Sequence, residues 1–301
     1  MSLTPEDAIS RVPQWANAKN FSYSPLGGGI TNQNFQVNVD GESFVLRIAG
    51  AKTELLGIDR QNEYIANQAA GKLGIAPQVF YYIQPEGYLV TRFLKASPIP
   101  PDELKQPANL MKVAALLKLF HGLDEIPGTF IVFRVVEDYA RVARSYEVRF
   151  PDNFEWLLER MYDAEAALLA DARTLQPCHN DLLNENFLQD RGKIYLLDWE
   201  YAGMGDIFFD LANLSVNHGF SDEEDRLLLD AYFGKSSEKN WARLKIMKIL
   251  SDFRESMWGL VQIGISNLDF DFREYADKHF IRMTNNIDDP RWGRWLATIR
   301  N

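Results

Sequence analysis

Cysteine is nearly missing: Cys178 is the only one in 301 residues, so no disulfide can form within the chain. That fits a reducing compartment. Histidine is scarce too, at four. His121 and His218 fall in helical contexts with no paired ligand in sequence, which argues against zinc. No uncharged apolar run approaches the ~20 residues that a membrane helix needs. The first residues, Met1-Ser2-Leu3-Thr4-Pro5-Glu6-Asp7, carry neither a basic region nor an apolar stretch, so no signal peptide is expected. A basic excess is also lacking: Lys plus Arg is 32 against 42 for Asp plus Glu, a net charge of −10. Such a chain is ill suited to neutralising a phosphate backbone, which excludes a dedicated nucleic-acid binder. These absences predict a soluble cytoplasmic protein with no membrane or nucleic-acid partner.

Apolar material is ample. Hydrophobic residues are 46% and charged residues 25%, the balance of a chain with a sizeable core. The length predicts about two domains. Thr4-Pro5 reads as a capped helix start. Strands are expected at 23–26, 34–39 and 43–48, with Asp40-Gly41 as a hairpin turn. A helix is expected over 59–73. A second hairpin is expected at 79–83 and 88–93, around Pro85-Glu86-Gly87. After Ser97-Pro98-Ile99-Pro100-Pro101 the periodicity turns helical, through Leu110, Val113, Leu117 and Phe120 and on to a long apolar pattern at 238–265. The reading is α+β: a small antiparallel-sheet lobe at 1–94 and a larger, mainly helical lobe at 95–301.

The chemistry concentrates in His179-Asn180-Asp181-Leu182-Leu183-Asn184-Glu185-Asn186, followed by Ile194-Tyr195-Leu196-Leu197-Asp198-Trp199-Glu200. Phosphoryl transfer needs a carboxylate to orient a hydroxyl and accept its proton, and oxygen ligands for Mg²⁺. Asp181 and Asn186 have the D-x4-N spacing of the protein-kinase catalytic loop, and Asp198 ends an apolar strand where a metal-binding Asp belongs. A polar turn with a strand-end carboxylate is the plainer alternative. The three groups with a strand between them argue against it.

These motifs, with Asp198-Trp199-Glu200-Tyr201-Ala202-Gly203, resemble the choline/ethanolamine kinase family of aminoglycoside phosphotransferase-like enzymes, and bacterial choline kinases in particular. The resemblance covers nearly the whole chain and implies a bilobal protein-kinase-like fold. It implies ATP and Mg²⁺ as cofactors and a small amino alcohol, choline or ethanolamine, as the acceptor. A homodimer is compatible with it. It makes Asp181 the catalytic base, Asn186 and Asp198 the metal ligands, and His179 and Asp210 structural supports of the catalytic loop. Trp199-Glu200 replaces the Phe-Gly of protein kinases, which argues against a protein substrate. An aminoglycoside, thiamine or sugar acceptor, or a silent ligand-binding pseudokinase, are the alternatives.

In the nucleotide half, Gly27-Gly28-Gly29-Ile30-Thr31-Asn32 joins two strands. It is no Walker A loop, since no Gly-Lys-Ser/Thr follows. A hairpin loop would also explain it. By the resemblance, Gly28, Gly29, Thr31 and Asn32 cover the phosphates. Arg47 replaces the kinase strand lysine and can bind phosphate in a bidentate way, although a surface arginine would look the same. Glu63 is its expected helix partner. Thr91 and Phe93 flank the expected adenine hinge.

In the acceptor half, a quaternary ammonium has no hydrogen-bond donor and calls for aromatic faces and carboxylates. Trp258, Phe272 and Tyr275 are the cage candidates and Asp269 a counter-charge, with Glu200 also assigned to the acceptor. Helical spacing equally suits core packing. Two departures stand out: Val261 replaces the second tryptophan of animal choline kinases, and Asn217 stands about where those enzymes carry a pocket glutamate.

Overall fold

A computed structural model describes residues 4–27, 32–171 and 173–301. In chain order the elements are α1 (Pro5–Ser10), β1 (Phe21–Leu26), β2 (Asn32–Val39), β3 (Glu42–Ala49), α2 (Arg60–Lys72), β4 (Val79–Ile83), β5 (Tyr88–Arg92) and β6 (Ser97–Pro98). Then come α3 (Pro101–Leu104), α4 (Pro107–His121), α5 (Val132–Ser145), α6 (Phe154–Ala170), β7 (Gln176–Cys178), β8 (Phe187–Asp190) and β9 (Lys193–Leu196). The chain ends with β10 (Gly203–Gly205), α7 (Ile207–Asn217), α8 (Asp222–Phe233), α9 (Glu238–Ile265), α10 (Phe272–Ile287) and α11 (Trp292–Arg300).

The contacts divide the chain into two compact units, Met1–Ile99 with Glu185–Tyr201, and Pro100–Asn184 with Ala202–Asn301. The lobes expected at 1–94 and 95–301 differ from this at the boundary, residues 95–99, and at residues 185–201. Residues 185–201 follow the first unit because their backbone is bonded into it. Pro98 of β6 pairs with Leu188 of β8, and Leu196 N–H donates to Ile75 O at 2.8 Å.

The first unit carries an antiparallel sheet in the order β1-β2-β3-β5-β4. Asp40 and Gly41, both at positive φ, turn β2 into β3, as a twisted two-residue hairpin requires. Alternation places Val37, Phe44, Leu46 and Val90 in the core, with Trp15 edge-on to Phe44. α2 is capped by Asp59, whose carboxylate accepts from Gln61 N–H and Asn62 N–H.

The second unit is mainly helical. α9 is buried nearly all round and packs against α5, α7, α10 and α11. Its buried charges, Arg243, Lys245, Asp252, Arg254 and Glu255, therefore need internal partners. The short pair β7–β10 leads into the segment that starts at His179, with Cys178 opposite Gly203. No helix among the described residues is long and apolar enough to cross a membrane.

Candidate active site

Within the first unit, β3 and α2 bring Arg47 and Glu63 together as expected. Arg47 Nη1 donates to Glu63 Oε1 at 3.1 Å and to Asp198 Oδ1 at 2.5 Å. Burial works against the Arg47 charge, but Asp198, Glu63 and Glu200 outweigh it and hold the guanidinium more firmly protonated than usual. Asn186 and Asp198 lie at the same end of the β8–β9 hairpin. Phe187 pairs with Leu196, and Leu197 N–H donates to Asn186 O at 2.9 Å, so one amide and one carboxylate are held on adjacent strand ends. Asp198 has φ 62°, a left-handed turn that aspartate tolerates better than most side chains.

The other nucleotide-half expectations fall out unevenly. Gly28, Gly29 and Thr31 lie outside the described residues. Asn32 is buried and its amide donates to Glu200 Oε2 at 2.9 Å. The Glu200 carboxylate, expected at the acceptor, also receives Arg60 Nη1 at 3.0 Å, so the contacts described for it lie within the first unit. Thr91 lies on β5 opposite Val45. Phe93 N–H donates to Ser43 O at 3.0 Å, so an adenine contact from Phe93 would fall to its carbonyl.

Within the second unit the segment 179–182 is held by side chains of α7. Asp210 is fully buried, and its carboxylate accepts from His179 N–H at 2.8 Å, Asn180 N–H at 2.7 Å and His121 Nε2 at 2.9 Å. Burial pushes the Asp210 carboxyl up, but the His121 hydrogen bond, the two histidines' charge and the backbone donor outweigh it, leaving it below the usual carboxylate value. His179 Nδ1 accepts from Asp181 N–H at 3.1 Å, and Asn180 takes a left-handed φ of 66°. Leu182 N–H donates to Asn213 Oδ1 at 2.5 Å. Four consecutive residues around Asp181 are thus fixed by named polar groups.

The sequence reading of His121 needs correction. It has partners: His121, Cys178 and Asp210 place their ligand-type atoms within 4.8 Å of one another. The Asp210 oxygens are nevertheless spent on backbone amides and His121, and His121 Nδ1 is 2.7 Å from the Tyr232 hydroxyl. Burial, with Asp210 and Asp206 nearby, pushes the Cys178 thiol well up. With those hydrogen bonds taken up, His121 and Asp210 brace the backbone of His179 and Asn180.

Sequence reasoning missed Arg254 and Glu255. Arg254 is 1% exposed, and its Nη1 lies 3.4 Å from Asp181 Oδ1 and 2.8 Å from Glu255 Oε1. Tyr275 O–H donates to Glu255 Oε2 at 2.8 Å. Burial raises the Glu255 carboxyl, but Arg254, His279 and Tyr275 outweigh it and keep it below its ordinary value. The only signal in sequence was two adjacent opposite charges inside an apolar helix.

The three aromatic candidates do meet. Trp258 is T-shaped to Phe272 with centroids 5.8 Å apart and to Tyr275 at 5.4 Å. Gly259 permits this, because a Cβ there would lie 3.0 Å from Ala276 Cβ and 3.2 Å from Phe272 O. Asp269 is exposed on the connection before α10, whereas the carboxylate reaching the trio is Glu255.

With this geometry in hand, comparison places the chain. Residues 22–246 match the model of the phosphotransferase enzyme family. The protein LicA of Haemophilus influenzae is 28% identical over 77% of this chain and 90% of its own length. Ethanolamine kinase 2 of Rattus norvegicus is 25% identical over 88% of this chain and 74% of its own. A choline/ethanolamine kinase family protein from Mesorhizobium loti superposes with a TM-score of 0.84 at 31% identity, covering 97% of this chain and 96% of its own. The choline kinase LicA of Streptococcus pneumoniae gives 0.77 at 25%, covering 88% and 92%. An aminoglycoside phosphotransferase at 12% identity and a TM-score of 0.65 shares the fold. The chain belongs to the phosphotransferase enzyme family and, within it, resembles the choline and ethanolamine kinases.

Proposed function

We propose that this phosphotransferase moves the γ-phosphoryl group of ATP, with Mg²⁺, to the hydroxyl of choline or ethanolamine. The observation that carries the reading is the pairing of Arg47 with both Glu63 and Asp198. It joins a strand cation, its helix carboxylate and a strand-end carboxylate in the order that nucleotide-dependent phosphoryl transfer uses. Arg47 binds phosphate oxygens and Glu63 keeps its guanidinium in place. Asn186 and Asp198 offer the hard oxygen donors that Mg²⁺ prefers, and the ion, when bound, offsets charge on the phosphates. Asp181 receives the acceptor hydroxyl and takes its proton. The acceptor oxygen forms the new bond to phosphorus, the bond to the β-phosphate oxygen breaks, and ADP leaves.

The acceptor assignment rests on charge and aromatic surface. The carboxylates of Asp181 and Glu255, both in contact with Arg254, lie in the same unit as the aromatic group of Trp258, Phe272 and Tyr275, whose Tyr275 hydroxyl donates to Glu255, and such surroundings suit a cationic amino alcohol. An ATP-dependent enzyme whose one cysteine is a buried thiol suits the cytoplasm.

The test is ADP formation by purified protein with ATP and Mg²⁺ and, in turn, choline, ethanolamine, an aminoglycoside, thiamine or no acceptor. Choline- or ethanolamine-dependent ADP is expected. ADP with one of the others alone would overturn the acceptor, and no acceptor-dependent ADP would overturn the transfer. Asp181→Asn is expected to lower kcat about a hundredfold or more, by analogy with general-base loss.

A further inference from the structure

One guanidinium outside the expected set touches three members of it. Arg60 is the first residue of α2, directly after its cap. Its Nη1 donates to Glu63 Oε2 at 2.6 Å and to Glu200 Oε2 at 3.0 Å, and its Nη2 donates to Asn32 Oδ1 at 3.2 Å. Asn32 in turn donates to the same Glu200 oxygen at 2.9 Å. The three partners have different duties. Glu63 holds Arg47, Glu200 lies two residues past Asp198, and Asn32 follows the glycine run.

The stem of Arg60 is fixed as firmly as its head. Gly87 of the β4–β5 turn lies so close that a Cβ there would fall 2.5 Å from Arg60 Cβ. The turn can approach only because residue 87 is glycine, which also accommodates its φ of 75°. Two carboxylates share the Arg60 charge and outweigh the penalty of its burial. A planar fork suits this arrangement, because donors on both terminal nitrogens meet partners in fixed directions, which a lysine ammonium does not reproduce.

We propose that Arg60 is a positioning residue for the nucleotide half: a single side chain sets the Arg47 partner Glu63, the Asp198 segment through Glu200, and the first residue of β2 through Asn32. The proposal rests on the kinase reading, and it says that ATP handling, not acceptor handling, depends on Arg60.

The experiment compares ATP affinity, read by calorimetry with Mg²⁺, with steady-state kinetics on the full chain. Arg60→Gln is expected to weaken ATP binding and raise its KM about ten- to hundredfold, the usual cost of losing a buried charge-assisted bond. The acceptor KM should stay within about twofold, since the second unit is untouched. Arg60→Lys should recover part of the loss. Glu200→Gln combined with Arg60→Gln should lose no more than the worse single variant, because both break one network. Three results would overturn the proposal: ATP affinity within about twofold of wild type, equal rises in both KM values, or additive losses in the double variant. Should Arg60→Gln fail to fold, Arg60→Lys carries the same comparison. A wild-type protein that binds ATP but forms no ADP sinks the transfer reading, while the calorimetry still decides the role of Arg60.

Discussion

Arg47 and Asp198 share a hydrogen bond of 2.5 Å across 151 residues of sequence, and the same Arg47 nitrogen reaches Glu63 at 3.1 Å. The guanidinium therefore ties β3, α2 and the end of the β8–β9 hairpin together through their functional groups. Arg47→Met removes the fork proposed to bind phosphate and leaves Glu63 and Asp198 without that cation between them. KM for ATP should rise about ten- to hundredfold and kcat should fall. Arg47→Lys should lie between, since it keeps the charge and loses the fork. Kinetics with ATP varied at saturating Mg²⁺ check this. Unchanged constants would make Arg47 a structural ion pair only.

Asp210 holds the backbone of His179 and Asn180, so its loss should act indirectly on Asp181, the proposed base. Asp210→Asn removes the charge, leaves His121 facing an amide and weakens the bonds to His179 N–H and Asn180 N–H. The stability cost should be about 3–5 kcal/mol, as for a buried pair that loses one partner. Activity should fall further than that stability loss explains, with kcat reduced and the ATP affinity nearly kept. Thermal melting and kinetics on the same preparation separate the two effects.

The sequence was most legible where local rules act alone. Asp40-Gly41 and the alternation of 34–39 and 43–48 foretold the hairpin, and Thr4 with Pro5 foretold a capped helix that the structure completes with Asp7. Asp181, Asn186 and Asp198 stand out in the sequence because their spacing is the one a phosphoryl-transfer site would need. What stayed hidden depends on distant partners. Nothing near residue 121 announces Asp210 and Tyr232, nothing near residue 60 announces Asn32 and Glu200, and Glu255 reads as one more charge on a helix. The segment 185–201 was misplaced for the same reason. Its sequence position follows the helices, but its hydrogen bonds run to Ile75 and β6.

Acid sensitivity follows from the same buried carboxylates. Asp210 and Glu255 are held below their ordinary values of 3.8 and 4.5. A depressed carboxyl contributes stability that is present above its unfolded value and lost as pH falls toward the folded one. The melting-temperature gap between wild type and Asp210→Asn should therefore be full at about pH 7 and shrink below about pH 4. A gap that stays constant across that range would contradict the ionised, paired Asp210.

Cys178 offers a probe of the brace that needs no substitution. It is 0% exposed, beside Asp210 and Asp206, and burial and those charges keep its thiol protonated. A neutral buried thiol is a weak nucleophile, so an alkylating reagent should leave the native protein unmodified for hours at neutral pH and label it fully in denaturant. In Asp210→Asn the charge that opposes the thiolate is gone and the loop held by His179 and Asn180 is loosened, so labelling of the folded protein should accelerate. Mass spectrometry of timed samples measures both rates. Fast labelling of the native wild type would place Cys178 outside the packed base of the catalytic segment.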